Sequence, residues 1–172
     1  MSDEPFTTLL DEALETWENT RRGLLDEAGV IPDERWGWRP HPESRDVSGL
    51  LRHVLESGLM AVGELARDDG DFTRQPFPDF VQEYAGHLPG AMEPDELKDR
   101  LRLAFAEGAA TIRAAGELHM LQRIRRFDGL RGTRLAWFNH HIDHESYHRG
   151  QLALYARQMD ITPALTRKIR GD

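Results

Sequence analysis

Four of the chain's eight histidines fall within nine positions, in the stretch HHIDHESYHRGQL from His140 to Leu152. His140, His144 and His148 follow one another at intervals of four residues. On a helix that spacing is about 400° of rotation, so the three rings stand nearly above one another on one face. Two neutral imidazoles at i and i+4 can converge on one divalent ion, which is why His-x-x-x-His recurs in helical metal sites. A third histidine in line is stretched too far along the axis to join easily. One adjacent pair plus a side chain from another helix is the better donor set. His141 is rotated about 100° from His140 and leaves the line.

The pattern also says which way the helix faces. Trp137, His141, His144, His148, Leu152 and Tyr155 recur at intervals of three and four, the rhythm of a core-facing stripe. His144 and His148 are therefore expected to point inward. Burying two imidazoles without partners is costly. A metal ion would satisfy both rings, and so would hydrogen bonds to carboxylates or carbonyls. His53, beside the apolar stripe of an earlier helix, is the natural third ligand, or else a core histidine with a hydrogen-bond partner.

Four long amphipathic elements must position these residues. Apolar residues at helical intervals run from Phe6 to Ala28, with a polar gap at Thr20 and Arg21, and Gly29 is suited to end that helix. The loop IPDERWGWRPHPESRD follows, broken by three prolines and a glycine. Asp46 is placed to cap a second helix over Val47 to Ala66, with Leu50, Val54, Ala61 and Leu65 on its buried stripe. The segment from Arg67 to Glu93 is interrupted by glycine and proline, with room for a short helix over Asp79 to Ala85. A third long helix starts near Pro94 and ends near Ala115. LHMLQRIRRFDGLRGT then carries two turn signals and space for a short extended piece. Thr133 can cap the last long helix, which reaches Gln158. No βαβ alternation or internal repeat is visible. The expectation is an all-α, single-domain four-helix bundle over residues 1–172, with its polar site built from facing helices.

Bulk composition narrows the function classes. The chain has 172 residues, 39% of them hydrophobic, enough for one domain with a real core. Its formal net charge of -8 opposes binding to a phosphate backbone. The basic run Arg123, Arg125, Arg126, Arg131 and Arg134 lacks interleaved aromatics and reads as a solvated loop. Neither nucleic acid nor membrane is expected as a partner. With no cysteine, disulfides, thiolate zinc sites and a cysteine nucleophile are excluded. MSDEPFTTLL lacks the basic and apolar regions of a signal peptide, and no apolar run is long enough to span a bilayer, so a cytoplasmic protein is expected.

HIDHESYHRGQL resembles the signature of the DinB/YfiT-like superfamily, in which a helix carries His-x-x-x-His-Arg-Gly-Gln. RWGWRPHPESRDVSGLLRHVLES resembles the family's other hallmark: a Trp-Arg-Pro loop, a capped helix, and a histidine one and a half to two turns into it. The two motifs come in the family's order, and the resemblance covers nearly the whole chain. It implies a four-helix bundle holding one divalent metal on His53, His144 and His148. A second register, with His140 and His144, is similar to the YfiT branch; the later pair is preferred because His148 directly precedes Arg-Gly-Gln. The resemblance further implies a homodimer and a small-molecule substrate. Characterised members include thiol transferases that use bacillithiol or mycothiol, and a mycothiol-dependent maleylpyruvate isomerase.

Three neutral nitrogen ligands leave a divalent ion with its charge and open positions. It can then activate water for hydrolysis or stabilise a thiolate. Imidazole donors suit zinc, nickel, copper and iron alike, with zinc or nickel expected. The leading expectation is thiol S-transfer to an electrophilic small molecule, with the sulfur supplied by a low-molecular-weight thiol. Metal-dependent hydrolysis is the second. A non-catalytic metal-binding stress protein is the third, closed by a fourth ligand such as His140. Around the site, Asp143 and Glu145 read as solvent-facing helix residues, or else as acceptors for the free ring N–H of a ligating histidine. Gln151 is one turn from His148 and can hydrogen-bond near it. Arg149 points away, towards an ion pair, and Gly150 permits close helix packing. Trp36, Trp38 and Arg39 line a pocket mouth or pack onto the bundle end.

Overall fold

The computed structural model describes residues 8–172. Seven α-helices are present among them, besides a 3-10 turn at Asp33–Arg35: α1 Leu9–Gly29, α2 Val47–Ala66, α3 Phe77–Ala85, α4 Pro94–Ala115, α5 Glu117–Met120, α6 Arg134–Gln158 and α7 Ala164–Arg170. Two three-residue strands, β1 Arg123–Arg125 and β2 Arg131–Thr133, separate α5 from α6. The four long helices are those the periodicity predicts, and their caps work as expected. The Asp46 carboxylate accepts from the Gly49 amide at 2.7 Å, and the Thr133 hydroxyl accepts from the Ala136 amide at 3.1 Å. Each satisfies a donor the first helical turn leaves without an intrahelical partner.

Several boundaries differ from expectation. Phe6 lies outside the described residues, and α1 begins under a Thr8 cap. Gly29 belongs to that helix rather than ending it; Val30 follows in a right-handed conformation, so no positive φ is needed there. The short third helix starts earlier, at Phe77, because Pro76 and Pro78 suit a first turn and not a helix interior. The basic run is a hairpin, not a loop. Ile124 is buried opposite Gly132, and Gly129, at φ +78°, turns the chain. Arg134 departs furthest from a solvated reading. It is buried, and its guanidinium donates to the carbonyls of Leu65 and Asp68 at 3.2 and 2.9 Å.

The long helices form a ring in which α1 packs on α6, α6 on α2, α2 on α4, and α4 back on α1. Helices consecutive in the chain, α1 and α2, or α4 and α6, therefore stand across diagonals. This is not the up-and-down order that short loops give. It puts α2 and α6, far apart in sequence, face to face.

The apolar interior is divided. One cluster gathers Trp17, Met60, Phe72, Phe80 and Phe138; the other gathers Leu24, Trp36, Leu50, Leu51 and Leu152. Between them lies a polar layer one or two turns deep: Arg21 on α1, His53 and Ser57 on α2, and His141, His144, Glu145 and His148 on α6. Glu145 is fully buried. Arg21 grips both its oxygens, Trp17 Nε1–H donates to it at 2.9 Å, and His141 Nε2 lies 3.1 Å away, at ion-pair range but off-axis for a hydrogen bond. Burial by itself would raise the Glu145 pKa. The Arg21 charge and the His141 contact override it and hold the carboxyl well below its usual range. The expectation of a solvent-facing Glu145 is therefore wrong, whereas Asp143 is exposed as expected.

Breaking this pair from one side should be severe. Glu145→Ala leaves a buried guanidinium uncompensated and is expected to lose about 3–5 kcal/mol in urea unfolding, while the Arg21→Met/Glu145→Leu double variant recovers most of that loss. A loss below about 1 kcal/mol for the single variant would show that the pair does not tie α1 to α6.

Candidate metal centre

Inside the polar layer, α2 and α6 each direct imidazoles at the same point. His53 stands two turns into α2. His144 and His148, one turn apart on α6, meet it from the facing helix. His144 Nε2 lies 3.1 Å from His53 Nε2 and 3.0 Å from His148 Nε2. The three nitrogens all lie within 4.8 Å of one another. The three residues anticipated as ligands are thus brought together. His140 is not; it is exposed and stacks on Trp137, with ring centroids 4.7 Å apart. The register that used His140 and His144 is not the one that converges.

The local electrostatics keep these rings neutral. Burial, aided by the Arg45 charge and by His148, lowers the His53 pKa to about 4. Burial, together with the neighbouring histidines His148, His53 and His141, lowers His144 to about 3, against a smaller opposing pull from Glu145. His148 is lowered as well, chiefly by burial. At neutral pH all three present lone pairs and no charge, as nitrogen ligands must. The tautomer of His148 is also set. Its Nδ1–H donates to Gln151 Oε1 at 2.7 Å, and Gln151 Nε2–H in turn donates to the Tyr147 hydroxyl at 3.2 Å. The Nε2 lone pair of His148 therefore faces the cluster. The near-site role expected of Gln151 is this bond.

These donors fit a divalent ion. With nitrogens 3.0 and 3.1 Å apart and bonds of about 2.0–2.1 Å, adjacent N–metal–N angles come to about 90–100°. Three protein donors leave further positions on the ion for water or a substrate. His53 and His144, but not His148, also line a cavity of 210 Å³ whose other walls include Met60, Ala61, Phe77, Phe127 and Trp137. Sequence reasoning missed Phe77 and Phe127. They come from a helix start and a hairpin turn, where no periodicity marks an inward residue.

Other neighbours depart from expectation. Arg149 makes no ion pair among the described residues; its guanidinium covers Gly23 of α1, where a Cβ would collide with it. Gly150 has nothing near its missing Cβ. Close packing uses other glycines, such as Gly108 beneath the Trp17 ring. Trp36 is buried with Nε1–H donating to the Ile31 carbonyl, Trp38 stands edge-on to Tyr155, and Arg39 bonds Asp46. This loop packs onto the bundle end and does not line the histidine cavity.

The model of the DinB superfamily matches residues 16–152, a span that includes all three histidines, the whole of α2, and α6 as far as Leu152. The chain belongs to the DinB superfamily. Solved structures with the same fold include a DinB-like protein, YjoA, from Bacillus subtilis, at 18% identity and TM-score 0.67, covering 88% of this chain and 93% of that one. YfiT from Bacillus subtilis, described as a probable metal-dependent hydrolase with an unusual four-helix bundle topology, aligns at 12% identity and TM-score 0.70 over 94% of each chain. A mycothiol-dependent maleylpyruvate isomerase aligns at 14% identity and TM-score 0.64, covering 88% of this chain and 63% of that one. These likenesses show the shared fold. No curated protein sequence matches the chain. No helix among the described residues is long and apolar enough to cross a membrane.

The ligand assignment predicts a pattern of losses. Elemental analysis of tag-free protein should find about one equivalent of zinc or nickel. His53→Ala and His148→Ala should each abolish it while circular dichroism stays native, and His140→Ala should retain it. Loss of metal in His140→Ala with retention in His148→Ala would assign the site to the other register.

Proposed function

We propose that this DinB-superfamily protein is a divalent-metal-dependent enzyme that transfers a thiol sulfur to a small electrophile. The carrying observation is that a neutral three-imidazole cluster borders an apolar cavity, with two of its rings, His53 and His144, in the wall. Bound there, a divalent ion would supply the positive charge that lowers the pKa of a thiol in an open position. The chain supplies the rest. His53, His144 and His148 hold the ion without cancelling its charge. Gln151 fixes the His148 tautomer. Met60, Phe127 and Trp137 exclude water from the place where the electrophile sits.

Because the chain has no cysteine, the sulfur must arrive on a second molecule, such as bacillithiol or mycothiol. In the overall step the thiol R–SH and an electrophile E–X give R–S–E and H–X. The sulfur–carbon bond forms as the bond to X breaks, and the thiol proton leaves with X. The cavity favours this over hydrolysis. No carboxylate among the described residues lines it to act as a general base for water, and of the two further imidazoles in its wall His140 stacks on Trp137 and His141 lies against Glu145. A thiol is acidic enough to need less help. The hydrolytic reading keeps support from the description of YfiT. A closed, non-catalytic site would need a fourth ligand, and His140 stacks on Trp137 instead.

Zinc- or nickel-loaded protein should consume a low-molecular-weight thiol in step with an added electrophile, with the thioether detected by mass spectrometry. His148→Ala should reduce this to the uncatalysed rate. Turnover that proceeds equally well without any thiol would establish hydrolysis. Full metal content with no turnover of either kind would favour a binding protein.

A further inference from the structure

The cavity beside the histidines says what kind of electrophile can enter. We infer that it binds an uncharged single aromatic ring bearing one short substituent, and that Ala61 and Phe77 set this specificity. The inference deepens the enzymatic reading and rests on it for the reaction, though not for the binding.

Three features carry it. The first is charge. No Lys, Arg, Asp or Glu side chain of the described residues lines the cavity. Arg126, which lies over the Trp137 ring at 5.2 Å from its centroid, is paired with Asp128 at 2.8 Å. The Ser57 hydroxyl is committed to the His53 carbonyl at 2.7 Å. A carboxylate entering between Met60 and Phe127 would lose its hydration and meet aromatic faces with no cationic side chain in return.

The second is shape. Phe127 stands 5.5 Å from Phe77 and 6.0 Å from Trp137, with interplanar angles of 66° and 53°. Rings inclined in this way offer both faces and edges to a guest ring at the 4.5–7 Å separations aromatic pairs prefer. They come from three separate elements, α3, the hairpin turn and α6, so the pocket is a product of tertiary structure and not of one helix face.

The third is size. An apolar cavity of about 150 Å³ holds benzene. At 210 Å³ this one has room for a ring and a short substituent. Its polar lining is Ser57 with the imidazoles of His53, His140, His141 and His144, so a reactive substituent is best placed towards His53 and His144, with the ring among the phenylalanines.

Benzamide and benzoate are matched probes, titrated by NMR into the full-length protein, zinc-loaded and zinc-stripped. Benzamide should bind both forms with a Kd of about 1 mM or tighter. In the stripped form, where no ion can capture a carboxylate, benzoate should bind at least about tenfold more weakly. Ala61→Phe, which fills the cavity from α2, should weaken benzamide about tenfold or more while zinc content stays at one equivalent. Phe77→Ala, at a half-exposed position that the fold tolerates, should weaken it about threefold. Benzoate binding as tightly as benzamide in stripped protein would overturn the inference. So would benzamide binding indifferent to both substitutions. Benzamide binding without any zinc uptake would leave the cavity assignment standing and remove the metal reading. Zinc uptake without benzamide binding would do the reverse.

Discussion

Two imidazole nitrogens each held about 3 Å from a third, inside the polar layer of the bundle, cannot both be satisfied by it. A neutral imidazole has one donor and one acceptor. His148 has already given its proton to Gln151, so its Nε2 can only accept. His144 Nε2 faces both that nitrogen and His53 Nε2 and can make a hydrogen bond with its single proton or lone pair to only one of them, while His144 Nδ1 is buried without a partner. Protonating the cluster is opposed by burial and by mutual repulsion, as the lowered pKa values of all three rings record. A shared divalent cation resolves the conflict, since each ring then gives a lone pair to one charge.

The rest of the bundle is arranged to keep that unfavourable layer in place. Apolar clusters on both sides exclude water, which strengthens every charge interaction between them. Glu145 and Arg21 lock α1 to α6 at the height of the histidines. The diagonal placement of consecutive helices brings α2 against α6. An ordinary up-and-down order, with each helix beside the next in sequence, would not require α2 and α6 to meet. Topology, the buried ion pair and the histidine convergence are therefore three parts of one arrangement.

Much of this was legible in the sequence because it is periodic. The four long helices announce themselves by apolar residues at intervals of three and four, and Asp46 and Thr133 mark two helix starts by their side-chain chemistry. The inward pair His144 and His148 follows from the same rhythm, and His53 from a motif in the second helix. The less legible parts involve residues far apart in sequence. Glu145 looks like a surface carboxylate because its partner, Arg21, lies 124 positions away. A signal did exist: Arg21 falls four residues after Trp17 and three before Leu24, on a buried face of α1 where a cation needs an anion. Gly23 and Gly108, not Gly150, are closely approached, since only the facing helix decides which glycine matters. Phe77 and Phe127 sit at a helix start and in a turn, and neither position has a period that would point it at the histidines.

The most direct test of the central claim is X-ray absorption at the metal edge of protein loaded with one equivalent of zinc or nickel, beside the His53→Ala variant. The account predicts imidazole scattering from three rings at about 2.0–2.1 Å, completed by at least one exchangeable oxygen donor, with one ring lost in the variant. A metal that shows no imidazole scattering, or a full shell of four protein nitrogens unaffected by His53→Ala, would contradict an open site shared between α2 and α6.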